Sequence, residues 1–208
     1  MIDKQGKIIA IVGAPRSGKS FLARKLATHY NAQLFLEGEE SELPLQIKED
    51  IAKNIRPLQR ILWFRAMYIK KYLKALKFRK EGYMVILDAF WITPQMFIDT
   101  LLEGFERELM WDIAYQDQKL FGWPDLIIFL KISEKSMRKF ITLGSRSFDQ
   151  SEDFILKQAL PVNKIHSEFF VKHHTANVAT IERDALDFEK NEDFQLLANK
   201  IDSNLKQT

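Results

Sequence analysis

Eight consecutive residues, Gly13, Ala14, Pro15, Arg16, Ser17, Gly18, Lys19 and Ser20, carry the strongest chemical signal in the chain. They fit the pattern G-x-x-x-x-G-K-[ST], with a β-branched run before them and a helical pattern after. Glycines at its ends let the backbone curl so that successive N–H groups point inward at an anion. The helix beginning near Gly18 adds the positive end of its dipole. In such a loop Lys19 reaches the β- and γ-phosphates of a nucleoside triphosphate, and the Ser20 hydroxyl ligates Mg²⁺.

Two carboxylates stand at comparable places. Asp88 closes the apolar run YMVIL, at the C-terminal end of a strand, where a parallel sheet presents its ligands. It reads as a metal ligand beside Ser20 or as a strand-ending turn residue, and the phosphate loop favours the first. Glu37 follows the second strand. It reads either as the base that takes a proton from an attacking hydroxyl or as part of a solvated acidic loop with Glu39, Glu40 and Glu42.

These residues need a scaffold, and the hydrophobic pattern supplies one. Short apolar runs at 7–12, 33–36, 83–87, 126–130 and 178–181 read as strands. Helical patterns cover 18–30, 57–80, 94–121 with a break near Gly104, 133 to about 143, 153–173 and 191–205. Strands alternating with helices imply an α/β fold with a parallel sheet covered on both faces. With 208 residues and no linker or repeat, one domain spanning 1–208 is expected.

Composition narrows the function classes. Lys plus Arg is 31 and Asp plus Glu is 28, so a net charge of +3 argues against a dedicated nucleic-acid or membrane-surface protein. The absence of cysteine removes disulfides, thiolate metal sites and cysteine nucleophiles. The four histidines show no metal-ligand spacing against one another. No apolar run approaches the length of a membrane span, and the polar start is unlike a secretory signal, so a cytoplasmic setting is expected. Within the third helix Lys70, Lys74 and Lys77 share one side, which reads as a contact for an anionic membrane or nucleic acid or as a solvated face, and the balanced overall charge favours the second. Trp63, Phe64, Tyr68 and Trp91 read as core or as stacking partners for a nucleobase.

The loop GAPRSGKS, the strand-ending FLEGEE and the stretch PDLIIFLKISEKSMRKFITLGSRSFD together resemble the deoxynucleoside kinases. TIERDALDFEKNEDFQLLANKI is similar to that family's C-terminal strand, acidic turn and helix. The resemblance implies a P-loop kinase fold of three layers with a five-stranded parallel sheet flanked by helices, and often a homodimer. It implies transfer of the γ-phosphoryl of ATP, with Mg²⁺, to the 5′-hydroxyl of a deoxyribonucleoside. By position, Glu37 matches the family's general base and Asp88 the acidic residue of its D/E-R-S motif. Gln59 resembles the glutamine that reads the base edge. In a lid at about 144–151, Arg146 matches an arginine over the phosphates and Asp149 a carboxylate on the sugar 3′-hydroxyl.

The departures are equally specific. Ala89 and Phe90 stand where the family has Arg-Ser, Gly38 follows Glu37 in place of proline, and Phe140 and Gly144 occupy lid positions that are often arginine. Phosphoryl transfer depends on electrostatic stabilisation, so each missing cation bears on rate. Arg16 and Arg65 are the candidates to replace the one lost at Ala89. Two other readings stay open: a nucleoside-monophosphate kinase of the thymidylate kinase kind, and a catalytically weakened ATP-binding module.

Overall fold

The computed structural model describes residues 6–37, 43–143, 151–172 and 176–206. Five strands, β1 (Ile8–Gly13), β2 (Gln33–Phe35), β3 (Val85–Asp88), β4 (Leu126–Lys131) and β5 (Val178–Glu182), form one sheet in the order β2-β3-β1-β4-β5. Every neighbouring pair is parallel. The helices are α1 (Lys19–Tyr30), α2 (Leu45–Ala52), α3 (Pro57–Lys80), α4 (Ile98–Leu101), α5 (Gly104–Phe121), α6 (Glu134–Leu143), α7 (Glu152–Lys172) and α8 (Asn191–Leu205).

The central strands read as unbroken apolar runs because both faces of the sheet are covered. Ile9 and Ile11 of β1 point to one face, where they pack with Leu22 and Leu26 of α1 and Leu197 and Ile201 of α8. Ile8, Ala10 and Val12 point to the other, against Tyr72 and Ala75 of α3 and Val162 of α7. Alternation along one strand therefore builds two cores at once. Trp91 sits at the centre of the second core with no exposure, and its indole N–H donates to the Gly122 carbonyl at 3.1 Å. It is a core residue with a satisfied polar tip, not a platform for a base.

Register sets the site. Ile11 pairs with Asp88, and the Ala89 amide donates to the Ile11 carbonyl at 2.9 Å, so β3 ends beside the start of the phosphate loop. Phe35 pairs with Leu87, which brings the end of β2 to the same edge. Asp88 and Glu37 thus leave the sheet at neighbouring carboxyl ends.

Two boundaries and one helix differ from those expected. The 94–121 segment is a 3₁₀ turn at Thr93–Phe97 followed by α4 and α5, with Gly104 at a φ of 51° opening α5. The third strand begins at Val85, Tyr83 being exposed. α2 was not anticipated; its Asp50 turns inward and binds Arg56 and Gln46. Among the described residues no helix is long and apolar enough to cross a membrane.

Candidate active site

The phosphate loop bends as its glycines require. Gly13 has a φ of 151°, and a Cβ there would come 2.7 Å from the Leu130 carbonyl oxygen of the adjacent strand. Gly18 caps α1 in the left-handed region at a φ of 89°. Any side chain at these positions would strain the turn. Ser17 closes the loop by donating its amide to the Ala14 carbonyl at 3.2 Å. The Lys19 ammonium bridges the carbonyls of Gly13 and Ala14 at 3.2 and 3.1 Å.

Beneath the loop, the Ser20 hydroxyl donates to one oxygen of Asp88 at 2.5 Å. The other oxygen, Oδ1, is buried without a partner. Burial pushes the Asp88 carboxyl above its ordinary range; Lys19 pulls it back and the charge of Glu37 raises it further. A buried carboxylate oxygen with no donor, beside a hydroxyl at the head of α1, is a fitting pair of ligands for a hard divalent cation. No cluster of three His, Cys, Asp or Glu exists among the described residues, so phosphate oxygens and water would complete such a coordination shell.

Glu37 faces this pair from β2, and α3 holds it there. The Tyr68 hydroxyl donates to Glu37 Oε1, and the Lys71 ammonium, one turn further, donates to the Leu36 carbonyl. Lys71 also lends its positive charge to Asp88. The basic stretch of α3 therefore divides into two populations. Lys70, Lys74 and Lys77 are exposed, as their spacing implied, while Arg65 and Lys71 turn inward. Arg65 forks onto Asp117 of α5 at 2.6 and 2.5 Å, which ties two helices together away from the cleft. It is not the substitute cation at the site; Lys71 and the cleft-lining Arg16 are better placed. Ala89 itself is 3% exposed at a φ of 70°, so an arginine introduced there would be both strained and buried.

One cleft of about 1060 Å³ joins these parts. Lys19, Ser20 and Glu37 line its centre. One part is a slot between α3 and the segment from the 3₁₀ turn to the end of α4, walled by Ile61, Phe64, Tyr68, Phe97 and Leu101. Phe64 and Tyr68 stack there with centroids 6.3 Å apart. Trp63 makes an edge contact with Phe64 but does not reach the cleft. Another part is walled by the turn after β5. There the Arg183 guanidinium lies between the rings of Phe140 and Phe188, at 4.7 and 4.2 Å. Phe140, at a position where arginine was expected, thus sits beneath an arginine delivered from another element.

Gln59 is not brought to the site. It is exposed and outside the cleft, whereas its neighbour Arg60 is 6% exposed and lines the slot. One residue turns a helix by about 100°, enough to exchange an outward side chain for an inward one. Arg146, Asp149, Gly144 and the acidic residues Glu39, Glu40 and Glu42 lie outside the described residues.

Sequence reasoning also passed over Arg60, Lys71, Arg183 and His166. His166 of α7 lines the cleft floor, stacked on Phe129 at 5.6 Å, with Nδ1 2.8 Å from the Val162 carbonyl. Nδ1 must carry the proton to donate to that carbonyl, which leaves Nε2 a lone pair, and Nε2 has no partner. Burial lowers its pKa from 6.5 to about 4. Since the folded value is depressed, the unfolded chain takes up the proton first as pH falls. Folding stability should therefore decline from pH ~6.5 toward 5, by up to about 1.4 kcal/mol per pH unit, and His166→Gln should flatten that slope. Urea titrations at pH 7.5, 6.5 and 5.5 check this; equal slopes for both proteins would exclude His166 as the cause.

The strand order, with every pair parallel and the glycine-rich loop following β1, gives an α/β fold that solved nucleoside and nucleotide kinase structures share. Among solved structures, the chain is similar to deoxyadenosine kinase from M. mycoides with products dCMP and a flexible dCDP bound. The TM-score is 0.72 and the identity 19%, over 94% of this chain and 99% of that one. The same enzyme with bound dCTP gives a TM-score of 0.73 at 19% identity, over 94% and 99% of the two chains. Thymidylate kinase from Candida albicans is similar at a TM-score of 0.66 and 18% identity, over 97% of this chain and 94% of that one. No protein-family model matches the sequence, and no curated protein does.

Proposed function

We propose that this chain is an ATP- and Mg²⁺-dependent kinase that phosphorylates the 5′-hydroxyl of a deoxyribonucleoside, working as a single domain over 1–208. The observation that carries the reading is the placement of Glu37. It is tethered by Tyr68 in the same cleft as Lys19 and Ser20, with an aromatic slot beyond it. A carboxylate between a phosphate loop and an apolar slot suits a hydroxyl acceptor, whose proton must leave as the new P–O bond forms.

In this reading Gly13 to Gly18 wrap the triphosphate with their backbone, and Lys19 neutralises charge developing on its terminal phosphates. Ser20 and Asp88 would hold Mg²⁺, which when bound offsets charge on the phosphate oxygens. Glu37 accepts the proton of the 5′-hydroxyl, and Lys71 and Tyr68 keep that carboxylate in place. Phe64 packs on the base or sugar. Arg146 and Asp149 are assigned to the phosphates and the 3′-hydroxyl.

The likeness to a thymidylate kinase supports a second reading, in which a nucleoside 5′-monophosphate is the acceptor. ADP formation from ATP·Mg²⁺ separates the two, using the four common deoxyribonucleosides and their monophosphates, with Lys19→Ala protein as background. Turnover with nucleosides, absent in the variant, is the expected result. Turnover with monophosphates alone would replace the first reading by the second. ATP binding without any turnover would leave a silent module of kinase ancestry.

A further inference from the structure

Arg60 is a costly residue to bury. It is 6% exposed and lines the cleft together with the apolar side chains of Ile61, Phe64, Phe97 and Leu101. Its guanidinium makes a single hydrogen bond among the described residues, from Nη2 to Asn54 Oδ1 at 3.2 Å, and its Nε is buried with no partner. The nearby carboxylate, Asp50, already receives Arg56 and Gln46 on Oδ1. Among the described residues, two guanidiniums around one carboxylate leave this part of the cleft with an excess of positive charge and of donors. Arginine has no acceptor to offer. What the unpartnered Nε of Arg60 lacks, among the described residues, is an acceptor oxygen.

Its distance from the reaction centre says which part of a ligand would bring one. Arg60 precedes Tyr68 by eight residues of α3, about 12 Å at 1.5 Å per residue. Tyr68 holds Glu37, where the 5′-oxygen of the acceptor must lie. An acceptor phosphate, bonded directly to that oxygen, would stay beside Glu37. The far edge of a nucleobase would come to Arg60, with the flat ring between the apolar walls.

Resting on the nucleoside-acceptor reading above, we propose that Arg60 selects the base. It favours bases that present a carbonyl oxygen at the position where others carry an exocyclic amine. Guanine, hypoxanthine, thymine and uracil satisfy it; adenine and cytosine would set an amine against a buried cation. The nucleotides bound in the similar M. mycoides structures, dCMP, dCTP and dATP, all carry amino bases, so this preference would separate the present chain from that enzyme.

Matched pairs test the effect with almost no change of shape, oxygen replacing amine while the adjacent ring nitrogen gains a proton. Calorimetric binding and kcat/KM would be measured for deoxyinosine against deoxyadenosine and for deoxyuridine against deoxycytidine. The oxo member of each pair is expected to be favoured by roughly 10- to 100-fold, the range of a hydrogen bond to a charged group. Arg60→Gln, whose amide both donates and accepts, should bring each ratio to within about threefold, and Arg60→Lys should keep part of it. Equal binding within both pairs by the unaltered protein would overturn the proposal and leave the acceptor reading intact. Ratios unchanged in Arg60→Gln would show that another group reads the base. Failure of all four nucleosides to bind, while monophosphates turn over, would overturn the acceptor reading and this proposal with it.

Discussion

Glu37→Gln is expected to lower phosphoryl transfer by about 10²–10⁴-fold while leaving ATP affinity within a factor of two, the range a positioned general base contributes. The amide keeps the size of the side chain and can still accept from the Tyr68 hydroxyl, so the tether survives. What is lost is the ability to take a proton from the acceptor hydroxyl. Nothing in the loop changes, since Lys19 is fixed by the Gly13 and Ala14 carbonyls rather than by Glu37. Rapid-quench measurement of ADP formation with saturating nucleoside, alongside titration of ATP, separates the two quantities. Full activity in the variant would remove Glu37 from the reaction and leave its carboxylate as a structural partner of α3.

Asp88→Asn should cut activity by about 10²-fold or more and raise the Mg²⁺ concentration needed for half-maximal rate. The same change should stabilise the metal-free protein, in so far as the gain from removing a buried charge exceeds the cost of an unpartnered amide N–H. The two effects have one origin. Burial raises the Asp88 carboxyl above its ordinary pKa even though Lys19 opposes it, so the charged form is less favourable in the folded chain than in the unfolded one. An acid whose folded pKa is raised costs stability once the pH exceeds its unfolded value. Neutral asparagine removes that cost and can still accept from Ser20. Gain of stability with loss of activity is the pattern of a strained functional group. Urea denaturation without Mg²⁺ and a Mg²⁺ titration of the rate test it; loss of both stability and activity would make Asp88 a plain structural anchor.

The two experiments also bear on the missing arginine. If Glu37 and Asp88 behave as described, the reaction centre works with Lys19 and Lys71, whose charges act on Asp88, and with the cleft-lining Arg16. The lack of a side-chain charge at Ala89 is then compensated from α3. The position could not easily regain it, being buried and left-handed. Charge at a reaction centre is a matter of distance, and a lysine from a facing helix can stand where a strand end has none.

Some of this was legible in the chain as written. The phosphate loop was, because its chemistry depends on backbone freedom and on residues contiguous in sequence. The five strands and the major helices were legible too, since a parallel sheet covered on both faces needs unbroken apolar runs separated by amphipathic helices. Asp88 and Glu37 could be picked out as strand-ending carboxylates, and register then set them at neighbouring ends of one sheet.

Tertiary structure decided what faces what. Arg65, Lys70 and Lys71 are alike in one dimension, yet one pairs with Asp117, one is exposed and one braces the carbonyl before Glu37. Gln59 and Arg60 are adjacent, and a single helical step put the arginine in the cleft and the glutamine outside it. Helical phase is set by which stripe packs on the sheet, and where polar and apolar residues mix, local pattern does not resolve it. Partners remote in sequence, such as Tyr68 with Glu37 or Arg183 with Phe140, exist only once the chain has closed. The bend of the glycine-rich loop was thus settled by local sequence, while the side chains that line the cleft beyond it were left to the packing of α3.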